Sequence, residues 1–480
     1  MHKVLQGLKP EKLWEIFDQI RQIPRSSKKE EKISQFLVEF AKKHNLEYKQ
    51  DDLGNVVIKK PASKGMEKKP TVVLQAHMDM VCEKNSDKKF NFDTDPIELV
   101  RDGDWIKADG TTLGADNGIG LAAALAVVID PGVKTGPIEV LATVDEETGL
   151  TGAFGLKEDF ISGKILLNLD SEEEGEFVIG CAGGKDTNIT FKAKTIDTMY
   201  DGYEIKVSGL KGGHSGMDIN TGRANSIKLL AGMLFDLSKS NEFVIKEFKA
   251  GNKRNAIPRE ATAVIGMAKC SDEIVKILEN SFEKAKQYYK NTDPDLALEI
   301  TYKENVGSCL SVEDSNRILN LLVSLPHGVI AMSQAIEGLV ETSTNLAIID
   351  VRDGNVEISE MSRSSADYGI ESVVNQIVAN AKLANAEYSH SSEYPGWQPD
   401  PESNIVKLVA KVYEELFNKK PEIKAIHAGL ETGIIGKKFE GMDMVSFGPT
   451  IQNPHSPDER VNIPSVEKFW TLLLTVLEKV

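Results

Sequence analysis

Three short runs rich in Val, Ile and Leu, VVLQA (72–76), IEVLAT (138–143) and KILLNL (164–169), alternate little and are separated by segments of helical spacing. Strands of this kind are buried on both faces, so they predict an α/β domain with a mostly parallel, mixed sheet and helices on both faces. Residues 11–22 and 30–43 have helical spacing, and IGLAAALAVVI (119–129) reads as a buried helix. That last stretch is well short of the about 20 apolar residues a membrane-spanning helix needs.

Beyond Gly183 the texture changes. YEIKVSGL (203–210), ATAVIGMAK (261–269), LALEITYK (296–303) and VEISEMS (356–362) alternate as half-exposed antiparallel strands do. Amphipathic helices are predicted between them near 222–239, 272–291, 311–324 and 370–386. The pattern suggests an inserted α+β lid domain over 184–392, of two similar halves, although no residue-level repeat accompanies it. HSSEYPGWQPDPES (390–403) reads as a linker. Helix-like IVKLVAKVYEELF and strand-like MDMVSF then resume the first style, so 1–183 and 393–480 together are expected to form one α/β domain. A chain of 480 residues is long enough for two such cores.

A formal net charge of -16 argues against nucleic acid or an anionic membrane as partner, since both favour clustered Lys and Arg; a small or neutral-to-cationic partner fits better. The N-terminus MHKVLQGLKPEKLWEIF has no export-signal pattern. Cys82, Cys181, Cys270 and Cys309 are widely spaced, which suits a reducing, cytoplasmic compartment.

Each of the three runs ends in donors suited to a metal ion. They are followed by His77-Met78-Asp79, Asp145-Glu146-Glu147 and Asp170. Ligands gather at the carboxyl ends of parallel strands, where connecting loops converge. TTLGADNGIG adds Asp116 and Asn117 before a helix, where Asn117 could equally be a cap, and FGPTIQNPHSPDE adds His455. This N/O set without thiolate suits Zn, Mn or Co, and the number of acids favours two ions sharing a carboxylate. In an extended strand His77 and Asp79 face the same side, which would let Asp79 orient the imidazole. Alternation would send Glu146 and Glu147 to opposite sides, one toward metal and one toward a proton-accepting role. GCAGGKD (180–186) is one residue too short for a phosphate loop, and DGDWIKADG breaks calcium-loop spacing.

His77-Met78-Asp79, LGADNGIG, Glu146-Glu147, Asp170 and NPHSPDE occur in an order that resembles the dinuclear-zinc exopeptidases, which include glutamate carboxypeptidase, aminoacylase and carnosinase. GTTLGADNGIG (110–120), IHAGLETG (426–433) and the long insertion resemble the aminoacyl-histidine dipeptidase branch. The resemblance implies two divalent ions, Zn2+ with Mn2+ or Co2+ as alternatives. Asp116 would bridge them, His77 and Asp170 would complete one site, and Glu147 and His455 the other. It implies Asp79 as the orienting group and Glu146 as general base. In the lid, His214 in KGGHSGMDI would donate to the substrate carbonyl or oxyanion, and Asn255, Arg363 and Gly429 would bind substrate. The implied activity is hydrolysis of unblocked dipeptides such as Xaa-His. An N-acyl amino acid hydrolase or carboxypeptidase would share every metal ligand, and a non-enzymatic metal-binding protein is the remaining alternative. A homodimer is expected from the family, although the long lid could supply within one chain what shorter-lidded relatives take from a partner.

Overall fold

The computed structural model describes residues 1–480, which divide into two compact units. The first comprises Met1–Gly180, Pro399–Ala425 and Leu430–Val480; the second comprises Cys181–Gln398 and Ile426–Gly429. The second is thus an insertion plus a four-residue excursion of the later chain, which the sequence reading places with the metal-binding segments. Ile426–Gly429 packs with the insertion because the Ala182 N–H donates to the carbonyls of Ile426 and Ala428, at 3.1 and 3.0 Å.

The first unit is built on an eight-stranded mixed sheet. Its strand order is Glu47–Gln50, Val56–Lys60, Ile138–Thr143, Val72–His77, Ile165–Asn168, Asp443–Ser446, Glu176–Cys181 and Glu422–Ile426. The central four strands, from Ile138–Thr143 to Asp443–Ser446, are mutually parallel, whereas the neighbours on either side of them run antiparallel. Every residue of Val72–His77 and Ile138–Thr143 is buried, as expected for strands covered on both faces. Helix Ala115–Ile129 buries every residue from Ala115 to Val128, which explains its lack of a polar stripe. No helix is long and apolar enough to cross a membrane.

The second unit carries a nine-stranded antiparallel sheet, and its connectivity shows the duplication that the residues do not. One half runs Asp201–Ser208, helix Ser226–Ser238, Val244–Ala250, Ala261–Met267, helix Asp272–Tyr288 and Ala297–Lys303. The other runs Gly183–Lys192, helix Val312–Ser324, Val340–Arg352, Asn355–Ser364, helix Asp367–Leu383 and Glu387–Tyr394. In each half the strands lie in the order fourth, first, third, second, and the two second strands meet antiparallel through Phe248–Ala250 and Ile349–Val351. The first half interrupts the second after its opening strand. A fixed-period sequence comparison therefore finds nothing.

Glu387–Tyr394 corrects the linker reading, because 390–394 belong to an edge strand paired with Gly183–Lys192. Almost all its side chains are exposed, so it has no hydrophobic alternation by which to be read. The helices share a single core with the sheet, including Ile205, Leu234, Phe248, Ile318, Ile349 and Ile377.

One buried group in this unit is left without partners. Glu360 is 1% exposed, and neither carboxylate oxygen has a hydrogen-bond partner. Lys228, the nearby cation, donates its Nζ protons to the carbonyls of Leu322, Val323 and Leu325 at 2.9, 2.7 and 2.7 Å. Burial pushes the Glu360 carboxyl well above its ordinary pKa, with Lys228 pulling the other way. Stability from this protonated acid is fully present below the ordinary carboxyl pKa and is lost as pH rises through the folded value. Glu360→Gln should therefore melt like wild type in acid and be more stable at alkaline pH, by about 1 kcal/mol or more. Calorimetric melting across pH reads this; superimposable alkaline limbs would contradict it.

Candidate metal centre and active site

The parallel register lines up the strand ends. His77 pairs with Thr143, and Gln75 with Asn168, so the chain leaves these strands toward Asp79, Asp145 and Asp170 at one edge of the sheet. Just inside that edge runs a buried polar row. Thr143 Oγ1 and Gln75 Nε2 donate to Glu431 Oε2 at 2.6 and 2.7 Å, Asn168 Nδ2 donates to Gln75 Oε1 at 2.5 Å, and Ser446 Oγ donates to Asn168 Oδ1.

Asp116 stands between two histidines. Its Oδ1 lies 3.0 Å from His77 Nε2 and its Oδ2 lies 3.1 Å from His455 Nε2. Asp170 Oδ1 is 3.4 Å from His77 Nε2, and Glu147 Oε2 is 3.0 Å from His455 Nε2. Two triads result, His77 with Asp116 and Asp170, and His455 with Asp116 and Glu147. The His455 loop is presented by strands Ile451–Gln452 and Arg460–Asn462, which pair with each other, the latter also with Trp105–Ala108. Asn117 is not a helix cap: its Nδ2 donates to the Leu169 carbonyl, at 2.9 Å, and to Asp170 Oδ1.

The glutamate pair follows a different geometry from the expected one. The strand ends at Thr143, and Glu146 opens a short helix, Glu146–Gly149, entered through Asp145 in the left-handed region with φ 53°. A helical turn, rather than strand alternation, therefore separates the two carboxylates. Asp79 lies beyond the strand as well, yet its Oδ1 is 3.3 Å from His77 Nδ1. The same carboxylate accepts the N–H of Glu146 at 3.1 Å, the N–H of Glu147 at 3.2 Å and Ser27 Oγ at 2.8 Å. Asp79 thus holds the glutamate turn by its backbone and sets a negative charge beside the His77 ring.

The electrostatics are those of a site built for positive charge. Burial opposes the imidazolium of His77, yet Asp170, Asp116 and Asp79 hold its pKa well above the ordinary value. Hydrogen bonds to Asp116 and Glu147 push His455 up to about 11. Burial raises Asp170 to about 6, and it lifts Glu146 well above the carboxylate range, with Asp170, Glu431 and Glu147 adding to the lift and His77 opposing it. Glu147 Oε1 is buried with no hydrogen-bond partner. A tetrahedral ion with bonds of about 2.0–2.1 Å has ligand–ligand edges of about 3.3 Å. The four histidine–carboxylate separations, 3.0–3.4 Å, lie close to that edge, and all donors of each triad fall within 4.8 Å of one another, so the residues fit divalent cations.

The second unit gathers the other predicted residues. His214 lies in the two-residue strand Gly213–His214, opposite Ala256, and the Ser215 N–H donates to the Asn255 carbonyl at 2.9 Å. His214 Nδ1 accepts the N–H groups of Gly216 and Met217 at 3.2 and 3.1 Å. An accepting Nδ1 puts the proton of the neutral ring on Nε2, and burial, helped by Arg363, lowers the His214 pKa. Arg363 is 4% exposed and donates to Tyr394 Oη at 2.8 Å and to Ser215 Oγ at 3.4 Å. At Gly429 a Cβ would come within 2.9 Å of the Tyr394 ring, which only glycine avoids.

Several residues at these sites were not identified from the sequence. Tyr394 falls in the supposed linker. Glu431 and Glu459 lie inside the quoted stretches HAGLETG and NPHSPDE, but acids in polar loops carry no signal of burial until their distant partners are known. Arg25 is equally silent, although it is 2% exposed.

A family model described as Peptidase family M20/M25/M40 matches residues 73–479. The cytosol non-specific dipeptidase of Escherichia coli K12 is 44% identical over 479 residues, covering 99% of both chains. The crystal structure of aminoacylhistidine dipeptidase from Vibrio alginolyticus superposes with a TM-score of 0.94 at 43% identity, covering 100% of this chain and 98% of that one. The aminopeptidase PepT of Bacillus cereus ATCC 10987, at 18% identity and a TM-score of 0.58 over 98% and 99% of the two chains, shares the fold. By the extent of these matches, the chain belongs to peptidase family M20/M25/M40.

Proposed function

We propose that the chain is a metal-dependent dipeptidase that hydrolyses the peptide bond of unblocked dipeptides, Xaa-His among them. The observation that carries this is Asp116 set between His77 and His455, with the half-buried acid Glu146 beside the same cluster. Full-length similarity to two dipeptidases supports the substrate class. Their names differ over a C-terminal histidine, so the reading does not require that residue in the substrate.

His77, Asp116, Asp170, Glu147 and His455 would hold two divalent ions, Zn2+ in the first instance. Such ions, when bound, supply a water of lowered pKa and a polarised scissile carbonyl. Glu146 takes the proton of the attacking water on its carboxylate and returns it to the leaving amine nitrogen. His214 Nε2–H donates to the carbonyl oxygen as negative charge develops there. Arg363 and Asn255 bind the polar end of the dipeptide, where a guanidinium suits a carboxylate, and Gly429 leaves its backbone open to the substrate.

A substrate panel after chelation and after reconstitution with Zn2+, Mn2+ or Co2+ tests this reading. Xaa-His and other dipeptides should be cleaved by the reconstituted protein and spared by the chelated one. Preferential cleavage of N-acetyl amino acids, or release of C-terminal residues from longer peptides, would replace the dipeptidase reading.

A further inference from the structure

Glu459 lies four residues after His455, and it is 2% exposed. Its Oε2 accepts the N–H groups of Leu113 and Gly114 at 2.7 and 2.9 Å, and its Oε1 accepts those of Ala115 and Asp116 at 2.7 and 3.2 Å. Four consecutive backbone donors thus converge on one carboxylate. Arg25 supplies the opposite charge to the same loop, donating to the Gly114 carbonyl. The same guanidinium donates to the carbonyls of Met78 and Asp79 at 3.1 and 2.7 Å.

These bonds join three of the five segments that supply the triads, those bearing His77, Asp116 and His455. Arg25 ties the chain after His77 to the loop before Asp116, and Glu459 ties that loop to the segment bearing His455. The approach is close enough to demand glycine: at Gly114, with φ 69°, a Cβ would lie 2.4 Å from Arg25 Nη2 and 2.8 Å from Met80 Sδ. Each charge would be costly to bury alone. Here N–H groups meet the anion and carbonyls meet the cation.

We propose that Glu459 and Arg25 are positioning residues that pre-set Asp116 between His77 and His455, and so strengthen metal binding without touching the ions. This rests on the ligand assignment proposed above. A loop already fixed loses less freedom when it binds, and outer partners of metal ligands are worth roughly 10–100-fold in affinity.

The test compares Glu459→Gln with wild type, with Asp458→Asn as an exposed control for loss of one negative charge. In the metal-free proteins, amide hydrogen exchange at 113–116 should be faster in Glu459→Gln alone. Chelator competition should show Zn2+ bound roughly 10–100-fold more weakly by Glu459→Gln and unchanged in Asp458→Asn. Turnover at saturating Zn2+ should return close to wild type. Wild-type Zn2+ affinity in Glu459→Gln, equal weakening in Asp458→Asn, or weakening with unchanged exchange at 113–116 would overturn the proposal. Asp116→Ala, measured alongside, separates the two readings. If it keeps wild-type Zn2+ affinity, the ligand assignment has failed; if it loses Zn2+ while Glu459→Gln does not, only the positioning role has failed. Should Glu459→Gln not fold by circular dichroism, Arg25→Lys is read the same way, since it keeps the charge and removes the fork, and unaltered Zn2+ affinity there overturns the proposal.

Discussion

Glu146→Ala is expected to keep the metal content of the wild-type chain and to lose turnover on dipeptides by roughly 10²- to 10⁴-fold, the range for removing a general acid–base group. Retention of metal follows from how the turn is held. Asp79 fixes it through the backbone N–H groups of Glu146 and Glu147, which survive the substitution. Glu147→Ala should do the reverse and lose metal first, because Glu147 Oε2 sits 3.0 Å from His455 Nε2 and its Oε1 is buried without a partner. The contrast is needed because His77, Glu146 and Glu147 also lie close enough together to hold an ion. Elemental analysis of both purified variants beside kcat for one dipeptide reads the outcome. Loss of metal from Glu146→Ala with retention in Glu147→Ala would exchange the two roles.

That ambiguity marks where the sequence stops being legible. The α/β unit could be read because buried parallel strands announce themselves as apolar runs, and their carboxyl ends are where donors collect. Asp116 and His455 were visible because their motifs are polar interruptions with metal-binding residue types. Alternation failed at Glu146 because Asp145 turns the chain before the pair is reached. The lid's duplication was hidden for a topological reason, since one half is threaded inside the other. Its edge strand Glu387–Tyr394 buries nothing and therefore has no pattern. Glu459 shows the same limit at the site: its four backbone partners lie more than 340 residues earlier in the chain. A buried ionic side chain is recognisable only together with what satisfies it, and no local window contains both.

Asp116→Ala is expected to abolish tight binding of both ions, and with it activity on every dipeptide. The reason is geometric: Asp116 belongs to both triads, presenting Oδ1 to the His77 side and Oδ2 to the His455 side. On the proposed ligand assignment its removal would take one of three protein donors from each ion, whereas His77→Ala or His455→Ala would take one donor from a single ion. Metal content should therefore fall from two ions toward none in Asp116→Ala, and toward one in either histidine variant. The loop itself should survive, since Glu459 holds it by main-chain N–H groups. Melting gives a second reading that needs no substrate. A ligand bound only by the folded state at 100 times its Kd stabilises that state by about 2.7 kcal/mol. The melting temperature of the wild-type chain should rise with added Zn2+, and that of Asp116→Ala should not. Two tightly held ions in Asp116→Ala would mean that the carboxylate is not shared, leaving Asp170 and Glu147 to anchor separate sites with His77 and His455.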